Sequence, residues 1–347
     1  VQLTLEEMME LDEEAAGELE VALLYDDAAT GTFVWQPTDG FHFLIVVLDT
    51  SKGILVNAVL EYVGPRDLEE GGEVSCYPFA RYTGKPVELP HTVAFLFDGA
   101  LKQGTDYTVE YENNTELGTA TLTITGIGDY TGTLTVTFKI VKPAAQFTDV
   151  SEKAWYYDAV SFAKLYRLFE GTSKTTFEPE TQMTRAMFVS VLSRIAGIPV
   201  NNSQPTVFSD VPTGQWYTGA VVWASECEIV FGSDGKFMPN DPITREQICR
   251  VLTGFVDYLG VTLKEINKAV KFKDEQDISK WAKADVALMQ VAGIVSGSTD
   301  GKFYPKKAAS RAEVAQMLKG FVENYLEIGY DKENDEIFFW PVYDGVA

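Results

Sequence analysis

Thr184-Arg185-Ala186-Met187 opens an apolar stretch with helical spacing, and the chain writes it twice more, as Thr244-Arg245-Glu246-Gln247 and Ser310-Arg311-Ala312-Glu313. A Phe-x-Pro turn precedes each copy: Phe177 and Pro179, Phe237 and Pro239, Phe303 and Pro305. Further upstream each copy has Phe-x-Asp and then a Trp: Phe147, Asp149 and Trp155; Phe208, Asp210 and Trp216; Phe272, Asp274 and Trp281. Self-similarity at a period of about sixty residues is the mark of an architecture built by stacking one small unit.

Each unit reads as helix, loop, helix. In the second copy Trp216, Ala220, Val221 and Ala224 fall on one helical face, and Ile248, Val251, Leu252 and Phe255 on another. The third copy repeats this with Trp281, Ala284 and Leu288, then Val314, Met317, Leu318 and Phe321. The Thr or Ser of each triplet sits at an N-cap position, where its hydroxyl accepts from a free backbone N–H. Gln247 and Glu313 complete capping boxes with Thr244 and Ser310, whereas Met187 cannot return the bond to Thr184. Capping leaves the arginine unexplained, since a helix start disfavours a cation. Two roles stand open: a surface Arg paired to an Asp, or an anion clamp offering a planar donor fork to a carboxylate. As the Arg is not the cap, its replacement is expected to leave the fold intact.

The three units resemble S-layer homology (SLH) domains, the wall-anchoring modules of bacterial surface proteins. The resemblance covers about Ala144 to Leu326 and rests on Phe-x-Asp, the Trp, the Gly-Ser-x-Asp-Gly-Lys-Phe type of loop and Thr-Arg-Ala-Glu. Departures are Met187 and Gln247 in place of Glu, Glu275 in place of Val, and a first loop, Gly171-Thr172-Ser173-Lys174, without Asp-Gly. The resemblance implies a pseudo-threefold helical bundle with ligand grooves between repeats. It also implies binding of secondary cell-wall polysaccharide, commonly through a pyruvate ketal on an amino sugar. Arg185, Arg245 and Arg311 then become ligand candidates. Lys236 and Lys302 join them as point charges, and Gly232, Ser233, Gly297, Ser298, Gly171 and Thr172 as loop donors. For each Gly the plain alternative is a turn needing positive φ. Trp155, Trp216 and Trp281 are expected in the core, with stacking on a sugar ring as the alternative role. The groove served by Arg185 is expected to be the weakest or most specialised, because the first copy has the atypical loop.

The formal charge of −23 is uneven. Residues 1–146 carry 24 acids and 7 bases, residues 147–326 carry 21 and 20, and residues 327–347 carry 6 and 1. The repeats are therefore nearly neutral between acidic arms, which excludes nucleic acid as the expected partner and suits an anionic wall ligand. Cys76, Cys227 and Cys249 form no disulfide framework, and the latter two read as core thiols. No apolar run reaches membrane-spanning length. The absence of a signal sequence points to one already removed or to an internal fragment.

Toward the N-terminus, Thr4-Leu5-Glu6-Glu7 is a capping box before an acidic helix to about Ala16, ended by Gly17. Strands are expected at Val21–Tyr25, Thr32–Trp35, Phe41–Leu48 and Ile54–Tyr62. From about Val74 to Val141 the period is two, as in Val93, Phe95 and Phe97 or Leu134, Val136, Phe138 and Ile140. Together with phrases such as Gly104-Thr-Asp-Tyr107 and Gly128-Asp-Tyr-Thr-Gly132, this stretch resembles a bacterial immunoglobulin-like repeat. The fold class expected is thus multidomain: a mainly-β region with an immunoglobulin-like sandwich, then an all-α pseudo-threefold bundle of three repeats. The boundaries expected are 1–71, 72–143, 144–201, 202–264, 265–327 and an acidic, aromatic tail at 328–347 that docks back on the protein or on a neighbour.

No catalytic signature is present. His42 and His91 are about fifty residues apart and, with three scattered cysteines, give no zinc spacing. There is no nucleophile elbow, P-loop or His-Glu-x-x-His, and Gly126, Gly128 and Gly132 form a hairpin turn. No cofactor, metal or catalytic residue is assigned. The function expected is a non-catalytic surface protein held to the wall by the triplet, with the β region as stalk or adhesive part and self-association in a surface layer open. Alternatives are an S-layer lattice protein, or a wall-active hydrolase whose catalytic part is residues 1–71 or lies elsewhere.

Overall fold

A computed structural model describes the backbone of residues 20–25, 40–50 and 53–63, and backbone and side chains of 65–89, 92–96 and 99–342. The chain divides into two compact units. One comprises Val1–Val74, Val93–Glu110 and Thr123–Thr135; the other comprises Ser75–Thr92, Tyr111–Leu122 and Val136–Ala347.

In the first unit, β1 (Glu20–Tyr25), β2 (Gly40–Thr50) and β3 (Gly53–Val63) form one sheet. β2 and β3 pair antiparallel from Gly40↔Val63 to Thr50↔Gly53, and β1 runs parallel to β2. These match the strands expected there. The expected helix to Ala16, its stop at Gly17 and the strand at Thr32–Trp35 lie outside the described residues. β4 (Arg66–Asp67) pairs parallel with β11 (Tyr130–Thr131), and Gly126 N–H donates to Gly132 O at 3.0 Å across the turn. A further sheet joins β5 (Gly72–Ser75), β7 (Val93–Leu96) and β8 (Gly99–Ala100).

The strands β6 (Phe79–Arg81), β9 (Tyr107–Glu112), β10 (Gly118–Gly126) and β12 (Thr133–Val141) form a sheet in the order β6-β12-β10-β9. The period-two expectation holds here: Ala120, Leu122 and Ile124 are buried in alternation along β10. The sandwich does not. β6 runs parallel to β12, as β4 does to its partner, while an immunoglobulin-like sandwich is built from antiparallel sheets. Alternation reports only which side chains are buried and carries no information on strand direction, so the sequence could not reveal these pairings.

In the second unit the repeats supply six helices: α1 (Tyr157–Leu165), α2 (Arg185–Ile195), α3 (Thr218–Glu226), α4 (Arg245–Leu259), α5 (Lys283–Val291) and α6 (Arg311–Tyr325). Thr184, Thr244 and Ser310 are their expected N-caps, and both capping boxes form, with Met187 N–H alone reaching Thr184 Oγ1. The expected all-α bundle is nevertheless overturned. Between the helices the chain makes 3₁₀ turns and interrepeat β-bridges, Gln182↔Ser310, Thr184↔Pro242 and Thr244↔Ala308. A β-hairpin, β13 (Leu326–Asp331) and β14 (Glu336–Pro341), begins inside the stretch assigned to the third repeat. Short helices leave many terminal backbone groups unmade, and these groups find partners in the neighbouring repeat.

Those partners close a ring. Met183 N–H donates to Ala309 O at 3.0 Å, Ala309 N–H to Ile243 O at 2.9 Å, and Ile243 N–H to Met183 O at 2.9 Å. All three residues are buried. Around them each helix start docks on the turn of the next repeat: Ala186 N–H on Pro239 O, Glu246 N–H on Pro305 O, and Ala312 N–H on Pro179 O. One core unites the helices and takes in Ile328, with Tyr330, Ile337 and Phe339 of the hairpin laid against it. The tail therefore docks back on its own chain through one face of the hairpin. Cys249 is fully enclosed and burial pushes its thiol pKa up, as expected of a core thiol; Cys227 is only half-buried at the end of α3.

Candidate ligand grooves

The turn that shapes each groove is held by the Asp of Phe-x-Asp. Asp274 accepts Phe303 N–H and Tyr304 N–H, each at 2.8 Å. Asp210 accepts from Phe237 and Met238 at 2.8 and 2.7 Å, and Asp149 from Phe177 and Glu178. The second residue of each pair has positive φ, 57° at Tyr304, 60° at Met238 and 55° at Glu178, a conformation that L residues hold only when their surroundings fix it. The carboxylate does so. For Asp210, burial raises the pKa, but the two N–H donors, its own backbone N–H and the Lys236 charge together outweigh it and the net shift is downward. The glycines that follow obey close approach and not positive φ. A Cβ on Gly232, Gly297 or Gly171 would lie 2.4, 2.8 or 2.6 Å from the ring of Phe208, Phe272 or Phe147. Positive φ belongs instead to Gly235 and Gly301 at the turn tips.

The arginines are neither surface residues nor paired to an Asp. Each is buried and reaches into the next repeat. Arg185 Nε donates to Phe237 O at 2.8 Å and Nη2 to Phe231 O at 3.2 Å. Arg245 makes the same pair with Phe303 O and Ser296 O, both at 2.8 Å, and Arg311 with Phe177 O and Glu170 O at 2.8 and 2.7 Å. Each guanidinium also lies over a Phe ring, at 4.7 Å for Phe237, 4.9 Å for Phe303 and 4.6 Å for Phe177. Among the described residues no carboxylate forms an ion pair with any of the three. Burial lowers the pKa of each, yet an arginine stays charged. Each is thus a buried cation whose fork grips two carbonyls, with carboxylates nearby (Asp241 and Asp210, Glu313 and Asp274, Glu178 and Asp149) but none close enough for an ion pair.

The tryptophans are not in the core. Trp155, Trp216 and Trp281 are 59%, 54% and 53% exposed, and the helices begin two residues after each of them. Trp155 and Trp216 stand edge-on to Tyr156 and Tyr217 at 5.3 and 5.2 Å. Leu288, expected on the apolar face of α5, is likewise exposed.

Two grooves bring these parts together. One, of about 620 Å³, is lined by Arg245 from the second repeat, Trp155 from the first, and Gly297, Ser298 and Tyr304 from the third. The other, of about 380 Å³, is lined by Arg185 from the first repeat, Gly232, Ser233 and Met238 from the second, and Trp281 from the third. The atypical first loop, with Gly171 and Thr172 beside Glu170, meets Arg311 and not Arg185. The Arg185 groove therefore does not contain the atypical loop expected to weaken it, because each arginine serves the loop of the following repeat. Lys302 lies over the Tyr304 ring at 5.7 Å and Lys236 is exposed on its turn. The groove cations that sequence reasoning missed are Lys307, ion-paired to Glu313 at 2.7 Å, and Arg250. Arg250 follows Gln247 by three residues on α4, a spacing that puts both on one face and was there to be read.

The described residues hold no cluster of His, Cys, Asp or Glu suited to a metal ion, and no helix among them is long and apolar enough to cross a membrane. Comparison with known proteins concentrates on the repeats. The chain is 32% identical over 184 residues to exoglucanase XynX of Acetivibrio thermocellus, covering 53% of this chain and 17% of that protein. It is 29% identical over 183 residues to an S-layer protein of Bacillus thuringiensis subsp. finitimus, covering 52% and 22%. It is 26% identical over 151 residues to a cellulosome-anchoring protein of A. thermocellus, covering 42% and 33%. The aligned parts thus span a third or less of these relatives. Residues 146–187, 207–249 and 271–315 each match the S-layer homology domain, so the chain carries an S-layer homology triplet and is a cell-surface protein anchored at the cell wall.

Proposed function

We propose that the triplet anchors the protein by gripping a carboxylate-bearing sugar of the wall polysaccharide, such as a pyruvate ketal, in the interrepeat grooves. The observation carrying this reading is convergence. Each groove draws a buried guanidinium that makes no ion pair among the described residues, an exposed indole and a Gly-Ser turn from three different repeats. An aromatic face suits the apolar face of a sugar ring, and a buried cation at a groove wall attracts a carboxylate more strongly than the same charge in water does. Arg185, Arg245 and Arg311 supply the charge, Trp155, Trp216 and Trp281 the platforms, and the loop residues backbone and hydroxyl donors. The protein itself is non-catalytic, and the segments 1–71 and 72–143 serve as stalk or adhesive part. The alignment with the exoglucanase supports the anchor alone, since it covers 17% of that enzyme.

The test is a pull-down of the intact chain with purified wall polysaccharide, before and after chemical removal of pyruvate. Retention that falls at least tenfold on depyruvylation is expected. Equal retention by both preparations would overturn the carboxylate reading.

A further inference from the structure

The two grooves share their arginine pins but differ in their walls. In the Arg185 groove the carbonyl of Phe231 accepts Arg185 Nη2, while the exposed ring of Phe231 carries the Arg250 guanidinium at 5.2 Å. Two guanidiniums thus flank a single residue, one at its carbonyl and one on its ring. In the Arg245 groove the residue at the Phe231 position is Ser296, and the residue at the Arg250 position is Gln316. The other cation there, Lys307, is neutralised within the groove by Glu313. The Arg185 groove has the uncharged Gln247 at that place and no carboxylate among its lining residues.

We infer that Arg250 is a specificity-determining residue, which makes the Arg185 groove select a glycan unit bearing two negative charges where the Arg245 groove takes one. The inference rests on the grooves being anionic-sugar sites. Arg185 holds two carbonyls with its fork and offers an incoming anion only its remaining Nη protons. Arg250 forms no hydrogen bond among the described residues, and its nearest acid, Asp285, stands 3.9 Å away, at the limit of an ion pair. Its five donors are therefore available. Like charges facing one groove repel, and resting Arg250 on an aromatic ring near Asp285 holds it in place at modest cost. A ligand with one carboxylate satisfies Arg185 and leaves Arg250 in solvent; a second anionic group engages both. The second charge has two chemical sources, a phosphate or another carboxylate.

The experiment titrates the intact chain calorimetrically with three probes: a pyruvylated amino sugar, the same sugar carrying a methyl phosphodiester, and the same sugar linked to a uronic acid. Wild-type protein should bind at least one of the two dianions about tenfold more tightly than the monoanion at one site. R250Q, which installs the residue found at position 316, should abolish that preference, costing the dianion about tenfold more than the monoanion. Q316R should create the preference at a second site. The dianion that keeps the advantage identifies the source of the second charge. Because Arg250 is partly exposed, R250Q should melt with the wild type. Wild-type binding of all three probes with equal affinity, or an equal loss for all three in R250Q, overturns the inference and leaves the anionic-sugar reading standing. Failure of every probe to bind overturns both.

Discussion

Replacing Asp274 by Ala should cost far more than its single charge suggests. Its carboxylate accepts two backbone N–H groups at 2.8 Å and is 5% exposed, so water cannot readily take its place. A hydrogen bond to a charged acceptor contributes about 1.5–3 kcal/mol, and a buried donor left without a partner keeps its full desolvation cost. Two such bonds give about 3–6 kcal/mol, with left-handed Tyr304 losing the contact that fixes its φ. Asp149 makes the same contacts but is exposed, so solvent replaces much of what Asp149→Ala removes and the loss should be about 1–2 kcal/mol. Urea unfolding of the intact chain, followed by tryptophan fluorescence and far-UV circular dichroism, measures both. Adding Tyr304→Gly to Asp274→Ala should recover about 1 kcal/mol, because glycine tolerates positive φ. An Asp274→Ala variant within about 1 kcal/mol of wild type, or equal losses in the two variants, would refute the claim that burial of this carboxylate holds the turn.

Arg245→Ala should destabilise the repeats by about 2–4 kcal/mol in the same assay, since it releases Phe303 O and Ser296 O and leaves a Phe ring uncovered; an unchanged midpoint would show that the pin is not structural. Met187→Glu should move stability by less than about 0.5 kcal/mol, the restored capping bond being offset by lost packing of a half-buried Met against the core; a gain above 1 kcal/mol would show that the packing is slight. The pH dependence of unfolding should carry a Glu313 contribution. Burial raises its pKa, but Lys307, the Ser310 N–H and the Arg245 charge together outweigh it and the net shift is downward. A depressed folded pKa gives stability that is present above the unfolded value of about 4.3 and lost as pH falls through the folded value. Melting temperatures of Glu313→Gln and wild type should therefore converge as the solution is acidified below about pH 4, and a constant gap across that range would count against the assignment.

What the sequence revealed and what it hid follow from the range of the interactions. Thr184, Thr244 and Ser310 were legible as caps because a cap is local, its partner lying three residues away. The arginines were legible as odd, since no local interaction wants a cation at a helix start, but their partners lie 46 to 141 residues off, on carbonyls that no pattern marks. Trp155, Trp216 and Trp281 were misplaced because apolar spacing in a helix predicts a buried stripe, and each stands ahead of its helix, outside that stripe. The parallel pairing of β6 with β12 was invisible to a period that any strand direction satisfies. Arg250 was visible as a helical neighbour of Gln247, but only the loop of its own repeat, folded over it with Phe231, turns that position into a groove wall.

The cycle of Met183, Ala309 and Ile243 has a further consequence for how many copies such a module can have. An open solenoid leaves an unsatisfied face at each end and lengthens by adding units, so it needs specialised terminal caps. A cycle has no terminal member: the amide of each axial residue already meets the carbonyl of another, and the third copy hands back to the first. A fourth copy inserted in line would find every axial amide and carbonyl taken and would have to break the cycle to join it. Copy number in this architecture is therefore fixed by closure, and a protein needing a stronger hold would have to duplicate the whole trio.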